Sequence, residues 1–520
     1  MIAASLHGTL LAGVAVAAAV LVSIGLSKPT RVPAPCYLVL AGLAVSFLPG
    51  IAQIRLPPDV VFYGFLPPLL YAAAFQTAPR EVRQNWGSIV LLAFGLTAAT
   101  LFAVGFVAWA AVAALGAGAS FVLGAVVGPT DPVSATSVIG STSAPERLRT
   151  VLEAESLVND GVALVAFSIA LGAVEHGNFS VGDGFAKFFQ LSAGGIAYGV
   201  IVGFVVERVR RRVHDAEIEI PLSLLTPFVA YVPAEAMHVS GILATVACGV
   251  YLGWRAEGVF QPEVRLQSVV FWDVFVSILT SVLFVLLGTQ FRRVLHGLGS
   301  YSAWTLVRDA VLIFAVVFAV RMVWMFTVPH LVARLDRSRA WRDIDPWQDR
   351  FVLGWSGMRG ALSLAAALSI PASVVARDEL LFLTFTTILA TMVLLGIPLP
   401  WLLGRLGFGP AHVDSAELDV RMLVANAALR RLDEVAADGY YAPELIESLR
   451  LLYESRIGRI EARRDGDLSS SSRYRRLRRE LLAAERDELR RHERDGTIGY
   501  ASARAIERQL DLEETSLSPR

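Results

Sequence analysis

From about residue 8 to residue 402 the chain alternates long apolar runs with short polar links. From residue 403 to 520 the apolar runs stop and Arg, Glu and Asp crowd together. A helix that crosses a bilayer needs about 17–25 predominantly apolar residues. Reading the runs on that measure gives about thirteen spans, near 8–26, 36–52, 59–76, 88–114, 119–139, 150–173, 184–206, 220–236, 239–254, 267–290, 304–331, 351–370 and 378–402. The division between the eighth and ninth rests on Pro233 and His238. The expected fold class is an all-α polytopic membrane protein. Residues 1–402 form the transmembrane domain and residues 403–520 a helical cytosolic tail. The run after Met1 lacks a basic leader and a clear cleavage site, so it reads as the first membrane helix rather than a signal peptide.

Charge in the links sets an orientation. Alternate links carry Lys28 and Arg31; Arg80 and Arg83; Arg147 and Arg149; Arg208 and Arg210 to Arg212; Arg255 and Arg265; and Arg334, Arg337, Arg339, Arg342 and Arg350. The links between them hold only Arg55, Arg292, Arg293 and Arg377. The positive-inside rule places the first set in the cytoplasm, the N-terminus outside and the tail inside. Lys stands only at 28 and 187 amid abundant Arg, which reads as a GC-rich, bacterial coding bias and hence a bacterial plasma membrane.

Composition adds little beyond this. Hydrophobic residues make up 55% of the 520, and the formal net charge is zero, which gives no footprint for nucleic acid. Cys36 and Cys248 lie in separate apolar runs and suggest neither a disulfide framework nor a metal site. The eight His have no ligand spacing, and no nucleotide-binding loop is present, so no cofactor is expected.

Two runs are interrupted. The fifth is broken by Gly128, Pro129 and Pro132, and the twelfth carries Gly354, Gly357 and Gly360 around Trp355-Ser356-Gly357-Met358-Arg359-Gly360. The two lie seven spans apart. An odd offset reverses direction, so spans 1–6 and 8–13 can form inverted repeats with span 7 as connector. Paired interrupted helices at matching positions point to a secondary-transporter site.

Acids stand beside the first break. Asp131 sits between Pro129 and Pro132, and Glu155-Ser156-Leu157-Val158-Asn159-Asp160 follows in span six. An ionisable group at mid-bilayer costs about 2.5–3.5 kcal/mol on insertion scales and asks for a function or a partner. Ser156 and Asp160 share a helix face, with Glu155 and Asn159 a parallel pair one step round. Asp160 is the strongest candidate for the exchanged-proton carrier. Carboxylate, hydroxyl and the carbonyls freed at Thr130-Asp131 are hard oxygen donors that suit an alkali cation. A carboxylate in a low-dielectric cavity favours its neutral form, and it can hold a proton or a cation but not both. Competition for one charge then gives exchange.

Asp131 has two readings: its charge offsets the positive starts of two half-helices, or it ligates the cation. Glu155 needs a cationic partner, and Arg321 is the preferred one. Arg359 then balances the carbonyl ends at the second break. Asp273 reads as an interfacial residue at a span end, His238 and Glu235 as loop groups, and Thr280 and Ser281 as hydroxyls at a helix interface.

At these residues the chain resembles the monovalent cation:proton antiporter family, in its sodium/proton-exchanger branch. The matching pieces are Gly128-Pro129-Thr130-Asp131-Pro132-Val133, Glu155 to Gly161, Phe284-Val285-Leu286-Leu287-Gly288 and Gly354 to Ala361. The resemblance implies a six-helix core with crossed broken helices, a separate dimerisation part and a likeness to homodimeric exchangers, with elevator-like alternating access. It implies that Asp160 binds Na+ with help from Ser156 and Thr130. Asn159-Asp160, in place of two acids, resembles the electroneutral branch. Two departures bear on the cation. Ala72 follows Leu66-Pro67-Pro68-Leu69-Leu70-Tyr71 where members often carry an acid, and Thr280 stands where they often carry Asn.

The function expected is exchange of Na+ or Li+ for H+, with lipid as the surrounding partner. K+/H+ exchange by the same mechanism is the nearest alternative. An intramembrane aspartyl protease with an Asp131–Asp160 dyad lacks a Gly-x-Gly-Asp motif. A passive channel would want polar groups along its length, and here they gather at one depth. In the tail, three or four amphipathic helices are expected, parted by Asp438-Gly439, Ser469 to Ser472 and Asp495-Gly496.

Overall fold

A computed structural model describes residues 2–30, 32–47, 56–77, 79–176, 181–212, 215–255, 262–296, 298, 302–335, 346–409, 415–437, 440–464, 468–495, 497–498 and 500–516. The chain divides into two units, Met1–Ala411 and His412–Arg520.

The regular elements of the first unit are helices among the described residues. In chain order they are α1 (Ile2–Thr30), α2 (Ala34–Val45), α3 (Leu66–Gln76, entered through a π-turn at Val60–Phe65), α4 (Pro79–Val90), which runs through a π-turn at Leu91–Leu96 into α5 (Thr97–Ala111), α6 (Ala117–Val127) and α7 (Val133–Ile139). There follow α8 (Glu146–His176), α9 (Val181–Arg210), α10 (Ala216–Ala236), α11 (Gly241–Arg255), α12 (Pro262–Thr289), α13 (Phe291–His296), α14 (Ala303–Leu335), α15 (Trp347–Trp355) and α16 (Ala361–Leu368). The unit ends with α17 (Arg377–Ala390), a third π-turn at Thr391–Gly396, and α18 (Leu399–Arg405).

By length and composition, 7 described helical stretches suffice to cross a membrane, against the thirteen spans that hydropathy predicts. The difference has physical causes. α2, α6, α11 and α3 with its π-turn are apolar but shorter. α10 starts with Glu217 and Glu219 and carries three prolines. Residues 48–52 of the second predicted run lie outside the described residues. The helix break at Met237–Ser240, with His238 at a φ of 56°, separates α10 from α11 where Pro233 and His238 predict it.

The two interrupted runs are broken helices. Their halves have 11 and 7 residues, α6 and α7, and 9 and 8 residues, α15 and α16. At about 1.5 Å per residue no half crosses a bilayer, so each break ends inside the protein. Pro129 and Pro132 cannot continue the hydrogen-bond ladder across residues 128–132, which forces the first break.

The packing repeats with a two-fold pattern. α2 lies along α12 as α3 lies along α11, α1 packs on α2 and α12 as α10 packs on α11 and α3, and α5 meets α14. Small residues permit both close pairs. A side chain at Gly42 or Gly288 would strike the backbone of α12 or α2, and one at Gly249 or Gly253 the backbone of α3. This is the inverted-repeat arrangement expected of spans 1–6 and 8–13.

In the second unit, α19 (Ser415–Ala437) pairs with α20 (Pro443–Arg464), and α21 (Leu468–Arg494) with α22 (Tyr500–Ser516). Leu482, Ala503 and Leu510 are buried, and Arg486 bridges to Asp511 at 2.7 Å and Glu514 at 2.5 Å. Ser469 to Ser472, expected as a separator, instead form the first turns of α21. Asp438, Gly439 and Gly496 fall outside the described residues.

Candidate functional site

The two breaks touch. The Asp131 amide donates to the carbonyl of Met358 at 2.8 Å, which joins the two non-helical stretches backbone to backbone. Asp131 Oδ1 accepts from the Val133 amide at 2.9 Å, at the start of α7. On the other side it abuts the start of α16, where any side chain at Gly360 would overlap the Asp131 carboxylate. Asp131 therefore sits at the positive ends of both second half-helices, and it also lines a cavity with Asp160, so its position is compatible with both readings.

Arginines meet the opposite, negative ends. Arg321 Nε donates to the carbonyl of Leu353 near the end of α15, at 3.0 Å. Arg359 Nε donates to the carbonyl of Val127, the last residue of α6, at 3.0 Å, and its Nη1 donates to Gly357 O. Arg359 is thus shared between the breaks, where the sequence reading gives it to the second alone. The correction arises because the helices cross, which brings the end of α6 to Arg359. The Arg359 amide donates to Thr391 Oγ1 at 3.1 Å, in the third π-turn. Carbonyls that this turn frees are taken by Cys36 Sγ, on Met392 O at 3.2 Å, and Trp355 Nε1, on Leu395 O at 2.9 Å.

Glu155 and Arg321 form a fork-to-fork pair, Nη1 to Oε1 at 2.6 Å and Nη2 to Oε2 at 2.9 Å, each residue 1% exposed. This is the pairing preferred on sequence grounds. Thr130 Oγ1 donates to Glu155 Oε1 at 3.2 Å and accepts from Asn159 Nδ2 at 2.9 Å. Ser156 Oγ donates to Thr130 O at 2.8 Å. The chain Asn159–Thr130–Glu155–Arg321 fixes α8 against the first break. It uses the Thr130 proton and one lone pair and leaves the other lone pair free.

A cavity of about 540 Å3 lies against this network. Asp160, Ser156, Thr130 and Asp131 line it, whereas Asn159, Glu155, Arg321 and Arg359 are not among its lining residues. Asn159, grouped on sequence with the cation ligands, is held behind the wall because its amide is turned to Thr130. Among the described residues no basic side chain pairs with Asp160. Arg321 is engaged by Glu155 and Leu353 O, and Arg359 by carbonyls.

The cavity runs along α8 from Asp160 to Glu153, about 10 Å at the helical rise. Its other end lies among Gln76 at the end of α3, Ser137 near the end of α7 and Asp273 in α12. These positions adjoin the Arg-rich links. Sequence reasoning missed the α12 wall. Asp273, Ser277, Thr280 and Ser281 all line the cavity, so this face of α12 belongs to the candidate site. Their spacing of four, three and one residues is a single helix face, a signal present in the sequence. Ala72 also lines the cavity.

Residues 16–405 match the family described as sodium/hydrogen exchanger, transmembrane. An uncharacterized Na+/H+ exchanger of Mycobacterium tuberculosis is 33% identical over 97% of this chain and 95% of its own length. The Na+/H+ antiporter ApNhaP of Aphanothece halophytica is 28% identical over 88% of this chain and 85% of its own. The solved sodium proton antiporter MjNhaP1 of Methanocaldococcus jannaschii superposes with a TM-score of 0.59 at 22% identity, over 75% of this chain and 99% of that one, and shares the fold. These are transporters, and the aspartyl-protease reading of Asp131 and Asp160 falls with that. The chain belongs to the sodium/hydrogen exchanger family and is a multi-pass membrane transporter of the cation/proton antiport class.

Proposed function

We propose that the protein exchanges Na+ or Li+ for H+ across the bacterial plasma membrane, one for one, by competition of cation and proton for Asp160. The observation that carries the reading is an acid in a cavity wall with no arginine partner, while both deep arginines are occupied elsewhere. Ser156 and Thr130 add neutral oxygens from the same wall. A bound Na+ would meet hard donors only, which suits its charge and size. Asn159 in place of a second acid leaves one exchangeable charge at the site and supports electroneutral exchange. The cavity adjoins the Arg-rich links, so on the positive-inside orientation it opens to the cytoplasm, with the N-terminus outside and the tail inside. Function as a homodimer follows from the family likeness.

A second reading, K+ for H+, is favoured by Ala72 in the cavity wall. It leaves a weaker-field oxygen set, of the kind that holds a larger ion. Everted vesicles with an acid interior test both. Addition of Na+ or Li+ is expected to dissipate the gradient at concentrations where K+ does not. A response to K+ alone selects the second reading, and silence to all three cations refutes antiport.

A further inference from the structure

Hydroxyls on the membrane helices habitually return a hydrogen bond to a carbonyl one turn back. Thr100 bonds to Leu96 at 2.8 Å, Thr245 to Gly241 at 2.9 Å and Thr387 to Leu383 at 2.7 Å. Among the described residues Ser134, Ser192, Ser268, Thr384 and Ser363 do not, and of these five only Ser363 lines the Asp160 cavity. The Ser363 Oγ is buried without a partner, and the residue is 1% exposed. Ser363 is the third residue of α16, so the residue four back is Arg359, inside the non-helical break.

Ser363 stands instead in the wall of the Asp160 cavity, with Thr280 and Ala72. A buried hydroxyl left unpaired costs about 1–3 kcal/mol, so this one asks for a partner from the cavity. Ala72, in the same wall, offers only a methyl group. A serine hydroxyl is a hard, neutral donor, and the balance of neutral and charged oxygens around an alkali ion sets its selectivity.

We propose that Ser363 is a specificity-determining residue whose hydroxyl contributes an oxygen to the shell around the transported cation. The ion is then met from α16, the second broken helix, as well as from α8 and the first break. This rests on the reading of Asp160 as the carrier. It places a ligand on each of the two elements that cross at the site, and it makes the ranking of Li+, Na+ and K+ depend on a residue outside the Asn159-Asp160 pair.

The test uses the full-length protein in proteoliposomes, with apparent KM and maximal rate measured for Li+, Na+ and K+ at fixed pH. Ser363→Ala is expected to raise KM for the preferred cation about threefold to tenfold, to leave the maximal rate within about twofold, and to change the ranking of the three ions. Ser363→Cys, which keeps the volume but replaces oxygen by sulfur, is expected to show the same loss and carries the test should the alanine variant fail to fold. Ser363→Thr is expected to restore the wild-type ranking. Folded Ala and Cys variants with wild-type KM for all three ions would overturn the proposal. So would a uniform fall in maximal rate with the ranking unchanged, the mark of a packing role. Asp160→Asn, run alongside, separates the two readings. Exchange that survives it defeats the carrier assignment, whereas a dead Asp160→Asn with indifferent Ser363 variants defeats only the role of Ser363.

Discussion

Among the five ionisable residues gathered around the two breaks, four are neutralised and one is not. Glu155 has Arg321, Asp131 has the starts of α7 and α16, and Arg359 has the carbonyl ends of α6 and the second break. Asp160 has none of these. Each of the five is legible in the sequence because a charge in an apolar run stands out and demands a partner. Ser363 and Thr280 are not legible in that way, since a hydroxyl in a membrane helix normally satisfies itself on its own backbone. Ser363 stands apart because it is the one unpartnered buried hydroxyl, among the described residues, that lines the Asp160 cavity. At this scale Glu155→Gln is expected to leave Arg321 as an uncompensated buried charge. The loss should be about 3–5 kcal/mol, seen as a lower melting temperature in detergent. Glu155→Gln combined with Arg321→Met is expected to lose less than either change alone, because no unpaired charge remains. Additive losses would mean that the pair does not act as a unit.

At the scale of elements, two helices broken at matching positions supply four helix ends inside the protein. Their dipoles are met by opposite charges, negative at the starts and positive at the finishes. The breaks could be placed from Gly128, Pro129, Pro132 and the three glycines of the twelfth run, because proline removes a donor whatever the surroundings. That Arg359 serves the first break as well as the second could not be read, because that depends on how the helices cross. The same limit explains the face of α12. Asp273, Ser277 and Thr280 have helical spacing, but the neighbour of that face is set by packing of α12 on α2 and α3. The crossing itself depends on Gly360. Gly360→Ala is expected to push Asp131 from the helix starts and to cut the exchange rate at least about tenfold, in line with an overpacking cost of about 1–3 kcal/mol. Gly64→Ala, where nothing lies within 4 Å, is the control and is expected to exchange normally. Equal rates in the two variants would show that close approach of the breaks is dispensable.

On the scale of the whole molecule, the inverted packing of α2 on α12 and α3 on α11 places the site between the repeats, with a cavity leading to it. Hydropathy and the seven-span offset of the two broken runs anticipate this layout. They do not anticipate which side is open, since that belongs to one conformation and the exchange proposed needs two. With the orientation proposed, Gln76→Cys and Asp273→Cys are expected to react with an impermeant maleimide in everted vesicles and not in intact cells. Native Cys36 and Cys248 are buried and add little background. Labelling from the outside alone would reverse the orientation.

One acid should accept hydrogen and metal in turn, and removing its charge should stop both movements. Uptake of radioactive sodium into proteoliposomes against an imposed pH gradient measures this for Asp160→Asn beside the wild type. The expected result is uptake no greater than in protein-free liposomes, from a variant that elutes as a single peak like the parent. Sodium uptake by that variant at the parental rate would contradict the assignment of Asp160 as the shared carrier.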